Sequence, residues 1–481
     1  MADDNNKIFQ GKGAISSNRS FIYPKDTELT GNDLIEFINY NDSHLKPHYR
    51  TNMDYYLGHH PVLEQPAKQT GADNRLVVNL PKYLVDTYNG FFSGIAPKIS
   101  LDDDKDNQAL QDWNNVNSFV DKLNEISKQA DIYGKSYAFV YQDEDSQTRV
   151  TYCSPSHAFM VYDDTVNREP LAFVRYHYDN SSDATAKGTI YYSDASYDFV
   201  GSTISPEPTP NLYKLVPAVE FYENEERQGV FDGCITLINE LDRALSQKAN
   251  QVEYFDNAYL YMLGIQLEKD RDTGQPKLDL KNDRFIYAPA DTAVNGKIGF
   301  VSKPDGDNMQ ENLINRLTEW IFQTAMIPNM NDQAFSGNSS GVALQYKLLP
   351  MKNRASNKER KFVHSLRHLY QIIFSVGTAL PDSSKNKWSD LTFKFIRNLP
   401  ANVADEVNSA RNAEGIISKK TQLGLLSFVD DPASEIKAMD QEQEDKIKQA
   451  QKVADAMPDF MKQDNDKQEP DEDKNNAEQE E

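Results

Sequence analysis

The sequence predicts an α+β chain, and three observations carry that reading. Apolar residues recur three and four apart in several long segments, as in helices that bury one face. Between Ser136 and Val219 the texture changes to short aromatic and β-branched runs. Asp, Asn, Ser and Gly separate them, which reads as an antiparallel meander. Helical spacing returns after Phe231 and persists to about residue 455, so helices and strands are segregated along the chain.

Residues 1–30 are polar, carry few apolar anchors and read as an arm. Leu34, Phe37 and Ile38 open a helix near Gly31, and Tyr83, Leu84, Tyr88 and Phe91 place another over Leu80–Phe92, stopped by Ser93-Gly94. A third is expected over Asp106–Ile132, closing at Tyr133-Gly134. The strand runs are Tyr137–Tyr141, His157–Tyr162, Leu171–Tyr178 and Thr189–Tyr192, and the proline-rich Ser205–Pro210 breaks the sheet.

From Phe231 the positions Ile235, Ile238, Leu241, Leu245, Ala249, Val252, Phe255, Tyr259 and Met262 step by three and four. They predict a helix of roughly 32 residues, or ~48 Å, ended by Gly264. Arg284–Tyr287 and Lys297–Val301 read as strands of an insert. Asn308 with Glu311 forms a capping box for a second long helix, carrying Leu313, Leu317, Trp320 and Ile321 and stopped by Pro328. A Gly/Ser/Asn loop over 329–341 leads to a helix over Val342–Val376, expected to break or kink at Pro350. Trp388–Ile396 alternates like a strand. Residues 401–455 read as short helices, with Ser418 as a start and Pro432 as a break. The tail from Met457 has ten acidic and three basic residues and almost nothing apolar after Met461, so disorder is expected over 456–481.

Composition bounds the function. A chain of 481 residues allows two to four structural units at ~100–200 residues each. A net charge of -23 argues against a protein that grips nucleic acid by neutralising phosphate, but not against one that lets DNA slide past. No stretch approaches the ~18–20 apolar residues of a membrane span. No apolar signal-peptide core follows Met1–Lys7, so synthesis and retention in a cytoplasm, without membrane contact, are expected. Cys153 and Cys234 lie far apart and are expected to be buried, reduced thiols.

The search for chemistry finds no catalytic constellation, metal site or cofactor motif. Gly134-Lys135-Ser136 lacks the earlier glycine of a phosphate-binding loop, position 129 being Gln, and it runs from helix into strand, the wrong order. His59-His60 reads as a surface loop. His364 and His368 sit one turn apart without an acid between them, among Arg360, Lys361 and Arg367, and read as structural or DNA-facing. Asp102–Asp104 and Asp143–Asp145 read as solvated turns rather than paired metal carboxylates. One contrast stands out: seven bases (Lys347, Lys352, Arg354, Lys358, Arg360, Lys361, Arg367) face one acid, Glu359, between 347 and 368. This cluster reads as a solvated face, as contacts to acidic neighbouring subunits, or as transient phosphate contacts.

Five segments in order resemble the portal proteins of long-tailed phages that infect Gram-positive bacteria, over about residues 30–450. They are Ile132–Tyr137, Pro217–Tyr222, Leu245–Phe255, Ser340–Lys347 with Ser356–Arg360, and Phe395–Pro400 with Ile417–Thr421. The resemblance implies a portal fold and a non-enzymatic ring, usually of about twelve subunits, at one capsid vertex of the virion. It implies an N-terminal arm over 1–30, a wing over 31–230, a first stem helix over 231–263 and a clip over 264–307. A second stem helix over 308–328, a tunnel-loop region over 329–352, a long helix and wing strand over 353–400 and a crown over 401–455 follow. Implied partners are further copies of the chain, double-stranded DNA passing through without sequence readout, the terminase large subunit, a head–tail adaptor, and capsid and scaffold proteins.

DNA-channel candidates on this reading are Glu240, Glu253, Lys347, Lys352 and Arg354. Candidates for partner contact in the clip are Lys269, Arg271, Arg284 and Lys297. Glu240, Asp242, Gln247, Asn250 and Glu253 are expected to form a polar, acid-bearing channel face that repels phosphate. A DNA-packaging enzyme (terminase-like ATPase or nuclease) and another virion adaptor are the alternatives; ATP turnover or assembly geometry would distinguish them.

Overall fold

A computed structural model describes residues 7–68, 72–179, 185–256, 260–263, 285–288, 297–300, 307–330, 341–398, 403–426, 428–429 and 432–455. The chain divides into two compact units, Met1–Asn398 and Leu399–Glu481. The expected disordered tail, 456–481, lies outside the described residues, as do 331–340 of the expected tunnel loop.

The larger unit opens with strands β1 (Lys7–Ile8), β2 (Ala14–Ile15) and β3 (Phe21–Tyr23), and this corrects the reading of 1–30 as an arm. Strand β3 pairs in parallel with β7 (Ala158–Asp163), Phe21 opposite Val161. Phe21 and Tyr23 are fully buried, and the Phe21 ring meets those of Phe37 and Phe159 at a tilt, with centroids 4.9 and 4.6 Å away. Three aromatics anchor the segment where a count of apolar residues sees too few.

Helix α1 (Gly31–Tyr40) is capped by Thr30, whose hydroxyl accepts from the Asp33 N–H, and a π-helical turn joins it to α2 (Lys46–Leu57). Helix α3 covers Leu80–Ser93. The single helix expected over Asp106–Ile132 is two, α4 (Asp104–Val116) and α5 (Phe119–Tyr133). Ser118, with φ 47°, breaks it in the left-handed region. Gly134 ends α5 at φ 87°, where a Cβ would stand 2.1 Å from the Arg227 carbonyl oxygen; only glycine fits there.

The expected meander is two sheets. Strands β5 (Lys135–Gln142) and β6 (Thr148–Cys153) form one with β13 (Ala218–Tyr222). Strands β7, β8 (Pro170–Tyr178), β9 (Ala186–Tyr191) and β10 (Ala195–Val200), with the short β11 (Thr203–Ile204) and β12 (Thr209–Pro210) paired to β10, continue the sheet begun by β1–β3. Tyr137, Phe139, Met160, Phe173 and Ala218 join the two in one core, with Cys153 packed half-buried against it; Cys234 is fully buried.

Helix α6 spans Ile235–Asp256 and is shorter than expected, because Leu260–Leu263 is a strand, β14. The run Leu-Tyr-Met-Leu continues the helical spacing yet equally suits a strand, so the boundary of the first stem helix at 263 is corrected. Strand β14 lies between β15 (Phe285–Ala288), in parallel, and β16 (Lys297–Phe300), antiparallel. Helix α7 (Asp307–Ala325) ends before Met326, which has φ 59°. Helix α8 (Gly341–Ser375) has 35 residues, about 52 Å, and continues through Pro350 without a break. The expected strand at 388–396 shrinks to β17 (Thr392–Lys394), paired with β4 (Lys98–Ser100).

The smaller unit contains α9 (Val403–Asn412), α10 (Lys419–Leu423) and α11 (Pro432–Asp455). Ser418 caps α10 through the Thr421 N–H, as expected, whereas Pro432 begins a 24-residue helix rather than breaking one.

Candidate functional site

Helices α6 and α7 pack side by side, and the three-stranded sheet lies between them in the chain. Cys234 Sγ reaches the Ile321 carbonyl, and Lys248 pairs with Glu311. The extended segment 74–78 lies along the other flank of α6. The N–H groups of Asn74, Leu76 and Val78 donate to Asn250 (2.5 Å), Ser246 (2.9 Å) and Asp242 (3.1 Å). The pitches match: four helical residues advance ~6 Å and two extended residues ~6.8 Å, so every second N–H meets every fourth side chain.

This ladder corrects two expectations. Asp242 is buried, not channel-facing: its carboxylate holds His60 at 2.5 Å as well as the Val78 N–H. His60 is fully buried with both ring nitrogens facing acceptors, while its neighbour His59 is exposed, so the pair is not simply a surface loop. Glu253 accepts from the Asn74 side chain (2.6 Å), and Glu240 pairs with Arg243 (2.7 Å). Thirteen residues apart, Glu240 and Glu253 stand about 140° from each other round the helix, so they form no single acidic face.

The second centre is a buried charge cluster where α8 crosses α3, α5 and the end of β13. Lys358 is wholly buried among Tyr88, Phe92 and Phe362. Its ammonium lies 2.6 Å from Asp131, 2.9 Å from the Ser127 hydroxyl and 3.4 Å from Glu223. Arg354, one turn earlier, donates to Glu223 (2.8 Å) and to the Ala325 carbonyl (2.9 Å) at the end of α7. Burial pushes the Asp131 carboxyl well above its ordinary range, opposed by Lys358 and reinforced by Glu223.

Beside it, Arg227 pairs with Glu220 (2.9 Å) and Tyr162 donates to the same carboxylate (2.9 Å). Burial alone would raise the Glu220 carboxyl, but Lys135 and Arg227 hold it below its usual value. Burial likewise lowers the Lys135 ammonium to about 8. Arg227, Glu220, His364 and His368 line a polar cleft of about 420 Å³. Burial brings His368 down to about 4, leaving a neutral ring. Among the described residues, no three His, Cys, Asp or Glu side chains gather to hold a metal ion, and no helix is long and apolar enough to cross a membrane.

The basic run on α8 is thus largely spent within the chain. Arg354 and Lys358 serve the cluster, Lys361 pairs with Glu225 (2.6 Å), and Arg367 donates to the Ser389 carbonyl (2.5 Å). Arg354 is corrected from a DNA-channel candidate to a structural cation. Lys347 and Lys352 are half-buried on α8. Of the clip candidates, Lys297 is exposed on β16, while Lys269, Arg271 and Arg284 lie outside the described residues. Sequence reasoning missed Asp131 and Glu223 as partners. The signal present was that Lys358 falls in the apolar stripe Met351, Ala355, Phe362 and Leu366.

Helices α6 and α7 thus bracket a three-stranded sheet in the chain and adjoin a mixed α+β body. Residues 35–449 match the family described as phage portal protein, SPP1 Gp6-like, and the chain belongs to that family. It is 23% identical over 405 residues to the portal protein of Bacillus phage SPP1, covering 79% of this chain and 78% of that protein. It is also 23% identical over 412 residues to the portal protein of Clostridium phage phiCD119, covering 80% of this chain and 87% of the relative.

Proposed function

We propose that this portal chain closes into a ring, of about twelve subunits, at one capsid vertex. There it is the channel for genome packaging, retention and ejection, and the platform for packaging motor and head–tail connector. The observation that carries the reading is the family match over 35–449, joined to the α6–α7 pair with a sheet between its helices. The work is structural rather than catalytic: terminase supplies ATP hydrolysis, and capsid, scaffold and adaptor proteins dock on the ring. DNA passes without sequence readout.

The channel wall is polar rather than acidic on this view. The line of α6 through half-buried Glu240 and Gln251 and exposed Arg243 and Gln247 carries one acid against one base, which offers moving phosphates neither a deep minimum nor a barrier. Glu253, Lys347 and Lys352 remain secondary candidates, Lys297 and the insert 264–307 the docking side. The stem, clip and crown ranges carry over, with the first stem helix ended at Asp256 and β14 given to the clip.

Procapsids assembled with and without the chain, then supplied with terminase, ATP and DNA, test the function. Nuclease-protected DNA is expected only with the chain; equal protection without it overturns the proposal. ATP turnover by the purified chain would favour the packaging-enzyme alternative.

A further inference from the structure

We propose that the ring closes by docking the outer face of α7 onto the apolar patch of Leu57, Leu63, Leu76 and Val78 on a neighbouring copy. This rests on the portal reading and names the two surfaces that meet.

Met309, Leu313, Arg316 and Trp320 recur at four, three and four along α7, about 110° round the helix from the buried Leu317, Ile321 and Ala325. Met309 is 75% exposed, Leu313 42% and Trp320 46%, an apolar stripe left open among the described residues. A second patch gathers Leu57, Leu63, Leu76 and Val78, each more than two-fifths exposed. Arg75 ties the segment to the Leu63 carbonyl (3.0 Å) and Asn79 to the Tyr56 carbonyl (3.0 Å), so these residues form one surface.

The two patches lie on opposite flanks of α6. Lys248, which faces α7 through Glu311, is two positions from both Ser246 and Asn250, which hold the 74–78 segment. Two positions place it about 160° round the helix. A closed ring needs this arrangement, because a head-to-tail contact uses two different surfaces, each once per subunit. Large exposed apolar patches on soluble chains mark such contacts.

Charge supports a second copy as the occupant. The chain carries -23, so like copies repel, yet both surfaces carry little net charge. Between Leu57 and Asn79 the charges are Glu64, Asp73, Lys68 and Arg75, two of each sign. On α7, Asp307, Glu311 and Glu319 stand against Arg316, and Lys248 of α6 pairs with Glu311, which leaves one acid over. Exposed Arg316 and Glu319 can pair with Glu64 and Lys68 of the neighbour.

Native mass measurement of two full-length variants tests this. Leu313→Glu spoils the α7 surface and Leu76→Glu the other; Met309→Glu and Val78→Glu are a second pair at exposed sites, in case the first does not fold. Each alone should lose the ring and stay monomeric, with unchanged thermal melting. Mixed one to one, they should form a heterodimer and nothing larger, because only one intact interface remains. Rings from a well-folded single variant, or dimers of one variant with itself, overturn the proposed surfaces while the portal reading stands. Absence of rings from the unaltered chain would instead strike the portal reading.

Discussion

Replacing Lys358 with Met tests the buried cluster that ties α8 to the body. The change keeps the apolar stem against Phe92 and Phe362 and removes only the ammonium. Asp131 and Glu223, both essentially without solvent contact, then share one cation, Arg354, in place of two. Removing one partner of a buried pair strands its counter-charge, at a cost of about 3–5 kcal/mol. Adding Asp131→Asn deletes the stranded charge, so the double variant should recover about 2 kcal/mol or more over Lys358→Met alone. Urea unfolding at pH 7, at equal subunit concentrations so that assembly contributes equally, measures both quantities. A loss below about 1 kcal/mol for Lys358→Met, or a double variant as unstable as the sum of the singles, would refute the reasoning.

Three further outcomes follow from the same side chains. Because the Asp131 carboxyl is raised in the folded chain, the stability it contributes is complete below about pH 4 and is lost as pH rises through its folded value. Asp131→Asn should flatten that decline in a stability–pH series. Glu220 behaves oppositely: its lowered carboxyl stabilises above the ordinary value of 4.5, and this is lost as pH falls through the folded value. Glu220→Gln should make the acid limb of the same series shallower. Ser246→Ala leaves the Leu76 N–H without its acceptor and should cost about 1–2 kcal/mol, with faster hydrogen exchange at Leu76 while Val78 stays protected.

Much of the helical frame was legible because its signals are local. Helix α3 follows its apolar spacing to within a residue of the expected end, and Ser418 caps α10 as its position suggested. The family resemblance rested on short ordered segments, and the match over 35–449 includes them. The errors arose where distant parts of the chain decide. Residues 7–23 looked like an arm because their partners, Val161 and Phe159, lie far along the chain. The bases on α8 looked like a free patch because their acids sit at 131 and 220–225, more than a hundred residues away. Asp242 looked solvent-facing because the segment that covers it comes from residues 60–78. Spacing identifies a face, but not what packs on it.

The most direct test of the account is imaging of the purified full-length chain together with its native mass. The account predicts closed rings with an axial channel, of about twelve subunits, with α6 and α7 forming the stem wall. A chain that stays monomeric across protein and salt concentrations, or oligomers without an axial channel, would contradict it.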